Sequence, residues 1–163
     1  MGLVKSQDEN ALVSDRLPFS VRGRGESLVK ELSYIYPGVQ SLNRKPKIGD
    51  GKCVSLVRAY SGVGPTSRWR QGATVFGNKD IAAGTAIATF VDGRWPALAK
   101  DNHAALYVGQ SSDGIYVLDQ WNDAEGKKKN MEIRKIHVRP KLSNGRFITP
   151  SDNAPAFSVI ETP

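Results

Sequence analysis

Two side chains in this sequence have the chemistry of a nucleophile and of a base that would activate it. Cys53 is the only cysteine among 163 residues, and His103 is one of two histidines. A thiolate is a strong nucleophile, and a histidine distant in sequence forms a thiolate–imidazolium pair with it when folding brings the two together. The residue types therefore suggest acyl transfer through a cysteine.

The cysteine lies in the first turn of a predicted helix. Asp50 is a favourable N-cap, which makes Cys53 about the third helical residue, and Gly62 ends the helix. A helix N-terminus carries roughly half a positive charge, which favours the thiolate over the thiol. The alternative role is that of a small buried hydrophobic residue, which is common for an unpaired cysteine. One face has helical spacing and contains Cys53, Leu56, Val57 and Tyr60.

His103 is predicted at the start of a strand, directly after an irregular loop. This is a frequent position for a catalytic side chain, because rigid backbone lies on one side and open space on the other. Residues 103–110 and 115–121 predict the two strands of a hairpin. A third polar group should orient the imidazole. The candidates on the returning strand are Asp119, Gln120 and Asn122.

The length of the hairpin turn decides which candidate points the same way as His103. A shift of one residue in register turns every side chain of a strand to the other face. A two-residue turn at residues 112–113 would direct Gln120 and Asn122 toward the face of His103.

A three-residue loop over residues 112–114 would direct Asp119 and Trp121 to that face instead. The Asp-Gly pair in this segment favours the longer loop, with the glycine in the left-handed region. Asp119 would then lie opposite Tyr107, about 13 Å from His103 in a flat sheet. Strand twist and the reach of the side chains must close this distance.

The rest of the chain predicts helices first and antiparallel strands afterwards, which is the pattern of a single α+β domain. Residues 1–26 are polar and predict an irregular arm, and a helix is predicted over residues 26–34. A capping Thr or Ser and a closing glycine predict one or two helical turns over residues 66–72. Further strands are predicted over residues 86–91, 131–138 and 157–160.

Composition and charge narrow the classes of protein. The net charge of +7 and the pI near 9.6 suggest a polyanionic partner, which is nucleic acid, an anionic membrane or a bacterial cell wall. The sequence contains no apolar stretch of about eighteen residues, and its N-terminus lacks the apolar run of a Sec signal peptide. One cysteine and two separated histidines argue against a zinc site. His137 and the lysines at 127–129 are interpreted as structural or solvated.

Four ordered segments resemble the NlpC and CHAP clan of papain-like peptidases. Within that clan they are most similar to the small peptidoglycan amidase effectors that bacteria deliver through type VI secretion systems. The resemblance covers residues 45–137. The segments are residues 51–57 (GKCVSLV), 84–90 (GTAIATF), 102–109 (NHAALYVG) and 119–121 (DQW).

The resemblance implies a papain-like α+β fold, in which N-terminal helices, with the catalytic cysteine at a helix N-terminus, pack on an antiparallel sheet. It implies Cys53 as nucleophile, His103 as general base and acid, and Asp119 as the acidic third residue. Gln120 is the fallback for that third position. No cofactor and no metal are expected.

A single domain over residues 1–163 is expected. The resemblance places the catalytic core at residues 45–137. An N-terminal arm and helix over residues 1–44 precede it, and a C-terminal extension over residues 138–163 follows it.

The activity implied by the resemblance is hydrolysis of amide bonds in peptidoglycan stems or cross-links, by an antibacterial effector. The bond joins D-Glu to the diamino acid or lies in the D-Ala cross-link, and the sequence leaves both open. The implied partners are peptidoglycan, the type VI secretion apparatus and a cognate immunity protein that blocks the cleft. Synthesis in the cytoplasm without a Sec signal, then action in the periplasm of a target bacterium, is expected. No nucleic-acid partner and no membrane insertion are expected.

Other functions use the same residues differently. A phage-type endolysin would carry the same catalytic site, and transglutamination or deamidation would share the catalytic residues. A basic module that binds wall or nucleic acid would need no reactive thiol. The tryptophans that would line a cleft are Trp69, Trp95 and Trp121, with core packing as the alternative for Trp121.

Overall fold

The computed structural model describes residues 34–163. The arm predicted for residues 1–26, and the helix predicted from Glu26 onward, fall outside the described residues. In the described part, no helix is long and apolar enough to cross a lipid bilayer.

One α-helix and a six-stranded antiparallel sheet form the described part of the chain. The strand order is β1-β6-β2-β3-β4-β5. This architecture confirms the α+β class that the sequence predicted. The elements are α1 (Cys53–Ser61), β1 (Arg70–Thr74), β2 (Ala86–Thr89), β3 (Ala104–Ser111), β4 (Gly114–Asp119), β5 (Glu132–His137) and β6 (Phe157–Glu161).

The sheet is covered by apolar side chains on both faces. On one face, Leu56 and Val57 of α1 pack with the β3 and β4 side chains Ala104, Leu106 and Leu118. Fully burying an aliphatic side chain of this size contributes about 1.5–3 kcal/mol, so this contact holds α1 firmly on the sheet. The opposite face carries a second cluster that includes Ala105, Tyr107, Val117, Ala154 and Phe157.

Helix α1 begins two residues later than the sequence predicted. Its first residue is Cys53 and its N-cap is Lys52, so the prediction that Asp50 is the N-cap and Cys53 the third helical residue is wrong. The Asp50 carboxylate accepts hydrogen bonds from the Lys52 N–H at 2.9 Å and the Ser55 hydroxyl at 2.6 Å. The chain still turns at Gly51, whose φ is +82°, before the helix begins. Asp50 therefore stabilises the turn that leads into α1.

The structure confirms the predicted C-terminal end of α1 and the predicted strands. Gly62 adopts a left-handed conformation and its N–H donates to the Arg58 carbonyl. Strands β2 to β6 lie where alternation or composition predicted them. Residues 66–72 differ from the prediction of one or two helical turns. The helical turn is confined to Thr66–Arg68, and β1 follows it. Strand β1 forms because it pairs with β6, a partner distant in sequence.

The ends of the described part also contribute to the core. Residues 138–163, expected as an extension, supply β6, which lies between β1 and β2 inside the sheet. The 3-10 helix Val39–Leu42 buries Val39 and Leu42. The assignment of residues 1–163 to one domain stays a prediction.

The β3–β4 hairpin has a two-residue turn, so the predicted three-residue loop is wrong. Ser111 pairs with Gly114, which leaves residues 112–113 in the turn. Gly114 serves a different purpose, because a Cβ at this position would collide with the Ile136 carbonyl of β5. The glycine permits close approach of β5 and does not form part of the loop. On its own, this turn would direct Gln120 toward the face of His103.

A bulge in β3 reverses that outcome. The register shifts between Tyr107 and Gly109, so Val108 is an extra residue on β3. Continued past the Leu106–Leu118 pair, the shifted register places Asp119 opposite Ala105, two residues from His103. Asp119 therefore shares the face of His103, which is one of the two arrangements expected from the sequence, but through a two-residue turn followed by a bulge.

Candidate active site

Cys53 is half-buried at the first position of α1. Burial raises the pKa of its thiol. The hydrogen bond and charge of the His103 imidazole, together with the Ala104 backbone N–H, lower this pKa by more than burial raises it, so the net pKa is below its usual value. The position at the helix N-terminus also favours the thiolate. The thiol is therefore partly accessible and activated, which is the environment of a reactive cysteine.

The backbone of His103 is anchored to β2 just before β3 begins. Its N–H donates to the Thr89 hydroxyl at 3.0 Å, and its carbonyl accepts from the Thr89 N–H at 3.0 Å. Only 6% of His103 is exposed. Burial lowers the pKa of the imidazole, but hydrogen bonds to Asp119 and Cys53 and their charges raise it to about 9. The imidazolium is thus stabilised between two acidic groups.

The third group in contact with the pair is Asp119. His103 Nε2 and Asp119 Oδ2 are 2.7 Å apart. Because Asp119 engages Nε2, the ring nitrogen Nδ1 is the one left for the sulfur of Cys53. Asp119 is fully buried, which raises the pKa of its carboxyl, but His103 and Arg134 lower it below its ordinary value. The structure therefore brings all three predicted site residues together.

A further charged residue, which was not predicted from the sequence, reaches this site. Arg134 Nε donates to the same Asp119 Oδ2 at 2.8 Å, from β5. The other oxygen, Asp119 Oδ1, is buried and has no hydrogen-bond partner among the described residues. The imperfect alternation of residues 131–138 is the only signal in the sequence that a charged side chain of β5 faces inward.

Gln120 lies on the face of the sheet away from His103 and holds the segment that precedes the cysteine. Its side chain is fully buried. The amide accepts from the Ile48 N–H at 3.0 Å and donates to the Ile48 carbonyl at 3.0 Å and the Lys52 carbonyl at 2.8 Å. Asn122 donates to the Asp50 carbonyl at 2.9 Å. Neither residue contacts His103. Gln120 and Asn122, the two alternatives for the third position, instead hold the backbone that precedes Cys53.

The three tryptophans have different environments. Trp69 is fully buried in the core and Trp95 packs edge-on against it, so the prediction that Trp69 lines a cleft is wrong. Trp121 is 37% exposed, and its ring lies edge-on to His103 with 6.3 Å between centroids. The Lys128 ammonium sits 4.2 Å from the Trp121 ring centroid. Trp121 is therefore the tryptophan positioned to meet a substrate.

An open groove begins at Trp121. Its volume is about 540 Å³, and it is lined by Trp121, Asp123, Glu132 and the lysines at 127–129. Within residues 34–163, no group of three or more His, Cys, Asp and Glu side chains is arranged to hold a metal ion. The site as described contains a thiol, an imidazole and a carboxylate in series, which is the arrangement for nucleophilic acyl transfer.

The chain is similar to known proteins over most of its length. The family model described as Domesticated amidase effector 2 matches residues 39–159. The type VI secretion amidase effector 2 protein of Salmonella typhi is 44% identical over 133 residues, which are 80% of this chain and 100% of that protein. The domesticated amidase effector 2 of Ixodes scapularis is 37% identical over 106 residues, 60% of this chain and 69% of that protein. A solved structure of type 6 secretion amidase effector 2 matches with a TM-score of 0.73 and 42% identity, covering 80% of this chain and 95% of that one.

Proposed function

The chain belongs to the domesticated amidase effector 2 family and is a peptidoglycan amidase effector, and we propose that Cys53, His103 and Asp119 catalyse its reaction. The observation that carries this assignment is the buried contact between His103 and Asp119, beside a Cys53 thiol whose pKa the imidazole lowers. A buried carboxylate at 2.7 Å fixes the orientation of the imidazole. The imidazole in turn stabilises the thiolate.

The reaction would proceed through a thioester. The Cys53 thiolate attacks the carbonyl carbon of a peptide amide, and the backbone N–H of Cys53 donates to the developing oxyanion, because first-turn N–H groups of a helix have no intrahelical acceptor. His103 protonates the leaving amine as the C–N bond breaks. His103 then removes a proton from water, which attacks the thioester and releases a carboxylic acid and the free thiol.

The substrate is the peptide portion of peptidoglycan, and the positive charge of the chain favours binding to that polyanionic wall. The net charge of +7 would hold the domain near the wall at low salt, and this attraction weakens as salt screens it. The exposed ring of Trp121 lies beside His103, where it can pack against a stem peptide. The bond cleaved is either D-Glu to the diamino acid or the D-Ala cross-link.

The family membership also supports proposals about how the protein is delivered and how it is inhibited. As a type VI secretion effector, the protein acts in target bacteria. We propose that it is made in the cytoplasm, acts in the periplasm of the target, and is blocked in the producing cell by an immunity protein that covers the active site around Cys53. The Cys53 thiol is half-buried and so remains partly accessible, and an inhibitor can therefore occlude it.

The test is release of new amino groups from purified peptidoglycan by the wild-type chain and by three variants. Cys53→Ala should abolish release. His103→Ala should reduce it by at least about 100-fold, since general acid–base catalysis contributes at least that factor. The matched control is His137→Ala, which removes the other histidine, exposed on β5 away from the site. Unchanged release by Cys53→Ala would contradict the nucleophile assignment.

Mass spectrometry of the digested muropeptides identifies the bond. New D-Glu carboxyl termini indicate cleavage within the stem, and monomers from cross-linked dimers indicate cleavage of the D-Ala bridge. Wall binding without any new amine would instead support a non-catalytic module. Ammonia release or new isopeptide bonds would support deamidation or transglutamination.

A further inference from the structure

We propose that Arg134 is a positioning residue for the hydrolysis, which acts by holding the Asp119 carboxylate against His103. This inference rests on the proposed catalytic roles of Cys53, His103 and Asp119. Arg134 acts through Asp119 and takes no proton itself, because a guanidinium stays charged throughout the working pH range.

The register of the sheet places Arg134 next to Asp119. Arg134 pairs with Val117 and Asp119 pairs with Glu132, so Arg134 is the diagonal neighbour of Asp119 on the same face. Its Nε reaches Asp119 Oδ2 at 2.8 Å. Two donors, from β5 and from the residue just before β3, therefore converge on a single oxygen of a fully buried carboxylate.

This convergence is what fixes the carboxylate. Asp119 Oδ1 is buried without a hydrogen-bond partner among the described residues, so both described contacts that orient the group are made through Oδ2. With Arg134 removed, His103 would be the one described side chain still bound to Asp119. No second described side chain would then fix the position of the carboxylate. The imidazole and the carboxylate could rotate together, so Nδ1 would point toward Cys53 less consistently.

Arg134 is itself held in place. Its Nη1 lies 3.4 Å from Asp152 Oδ1, and its guanidinium lies 5.0 Å from the Trp121 ring centroid. Asp152 is bound by Arg139, whose Nη2 reaches the carboxylate at 2.6 Å and whose Nε donates to the Asp152 carbonyl at 2.7 Å. A planar fork can meet both carboxylates at once, which a lysine ammonium cannot do with the same geometry.

The charge of Arg134 has a measurable consequence. The ionisable groups around the imidazole are Cys53 from α1, Asp119 from β4 and Arg134 from β5, with Asp152 one contact further out and Lys128 above Trp121. The negative charge of Asp119 raises the pKa of the Cys53 thiol, and Arg134 offsets that charge. Loss of Arg134 would therefore raise the pKa of both thiol and imidazole, because each would bind its proton more tightly.

The experiment compares Arg134→Met with Arg139→Met. Each variant removes one cation that contacts Asp152, but only the first removes a contact to Asp119. Iodoacetamide alkylation of Cys53 is followed from pH 4 to 10 in the full chain, beside wall hydrolysis. For Arg134→Met we expect both limbs of the profile to move to higher pH, with alkylation at pH 6 slowed about 3- to 10-fold. We expect kcat to fall about 10-fold or more with little change in KM.

Arg134→Lys should retain the wild-type pH profile, because the positive charge remains, and should recover part of kcat. Arg134→Gln loses the charge but keeps a donor for Asp119, so it should show the shifted profile even if Arg134→Met does not fold. An unshifted profile in both uncharged variants would overturn the proposal. An equal shift in Arg139→Met would also overturn it, since the effect would then be general charge loss. Alkylation needs no wall substrate, so a wild-type chain that fails to cleave peptidoglycan refutes the proposed function without deciding this test.

Discussion

Asp119, the last residue of β4, and Gln120, the residue that follows it, hold two different parts of the same site. Asp119 binds the His103 imidazole on one face of the sheet, and Gln120 binds the carbonyl of Lys52, directly before Cys53, on the other. Successive residues of a strand point to opposite faces, so one dipeptide reaches both the base and the segment that carries the nucleophile. The relative position of Cys53 and His103 therefore depends on the end of β4.

The pH dependence of hydrolysis should follow the thiolate–imidazolium pair. The pair forms above the lowered pKa of Cys53 and is lost above the pKa of His103, which is about 9. We therefore expect alkylation of Cys53 to remain fast at pH 6–7, where an ordinary thiol is protonated, and hydrolysis to decline above about pH 9. In the urea-unfolded chain the thiol should titrate in its usual range. Alkylation that is equally slow in folded and unfolded chains at pH 6.5 would show that the thiol is not activated.

Asp119→Ala and Gln120→Ala should have different effects. Asp119→Ala should lower kcat by about 100-fold, because the imidazole loses the group that orients it. Gln120→Ala leaves the Ile48 and Lys52 backbone groups without their partner and should lower the free energy of unfolding by about 2–4 kcal/mol. Turnover and urea unfolding measured on both variants separate the two effects. A greater loss of kcat in folded Gln120→Ala than in Asp119→Ala would assign the orienting role to Gln120.

Gly51→Ala should disturb the turn before α1. Gly51 has φ of +82°, and a Cβ there would collide with the Asn122 side-chain oxygen. We expect a loss of about 1–3 kcal/mol in the free energy of unfolding, measured by urea titration, with reduced kcat because Cys53 follows this turn. Gly64→Ala is the control, since its φ lies outside the left-handed region and no atom lies within 4 Å of the added Cβ. Equal stability of the two variants would contradict the role given to Gly51.

Trp121→Ala should weaken substrate binding. The ring is exposed beside His103, and an aromatic contact of this kind contributes about 0.5–1.5 kcal/mol, so KM should rise about 2- to 12-fold. Tyr116→Ala is a matched control, because Tyr116 is also 37% exposed and also lies under a lysine, Lys135. Wall-fragment hydrolysis over a range of substrate concentrations measures KM for both. The same KM in both variants would remove Trp121 from the binding surface.

Much of the architecture was predictable from local patterns. The spacing of Leu56 and Val57 indicated the face of α1 that packs on the sheet, and Gly62 indicated its end. Alternation located the β3–β4 hairpin to within a residue or two. The N-cap was misplaced because Asp50 was assigned to the helix, whereas its carboxylate serves the turn before it. β1 was missed because its pairing partner is far away in sequence.

The sequence by itself determined which groups are available: one thiol, one imidazole after a loop, and three polar candidates on the returning strand. Residue types and spacing contain that information, because the type of a side chain sets its reactivity and the spacing of nearby residues shows which face of a helix each one occupies. Only the tertiary structure decided that Asp119 meets His103 and that Arg134 shares its oxygen. The reason is register, since one extra residue in β3, Val108, changes which side chains lie across from one another, and no local pattern records a pairing between strands.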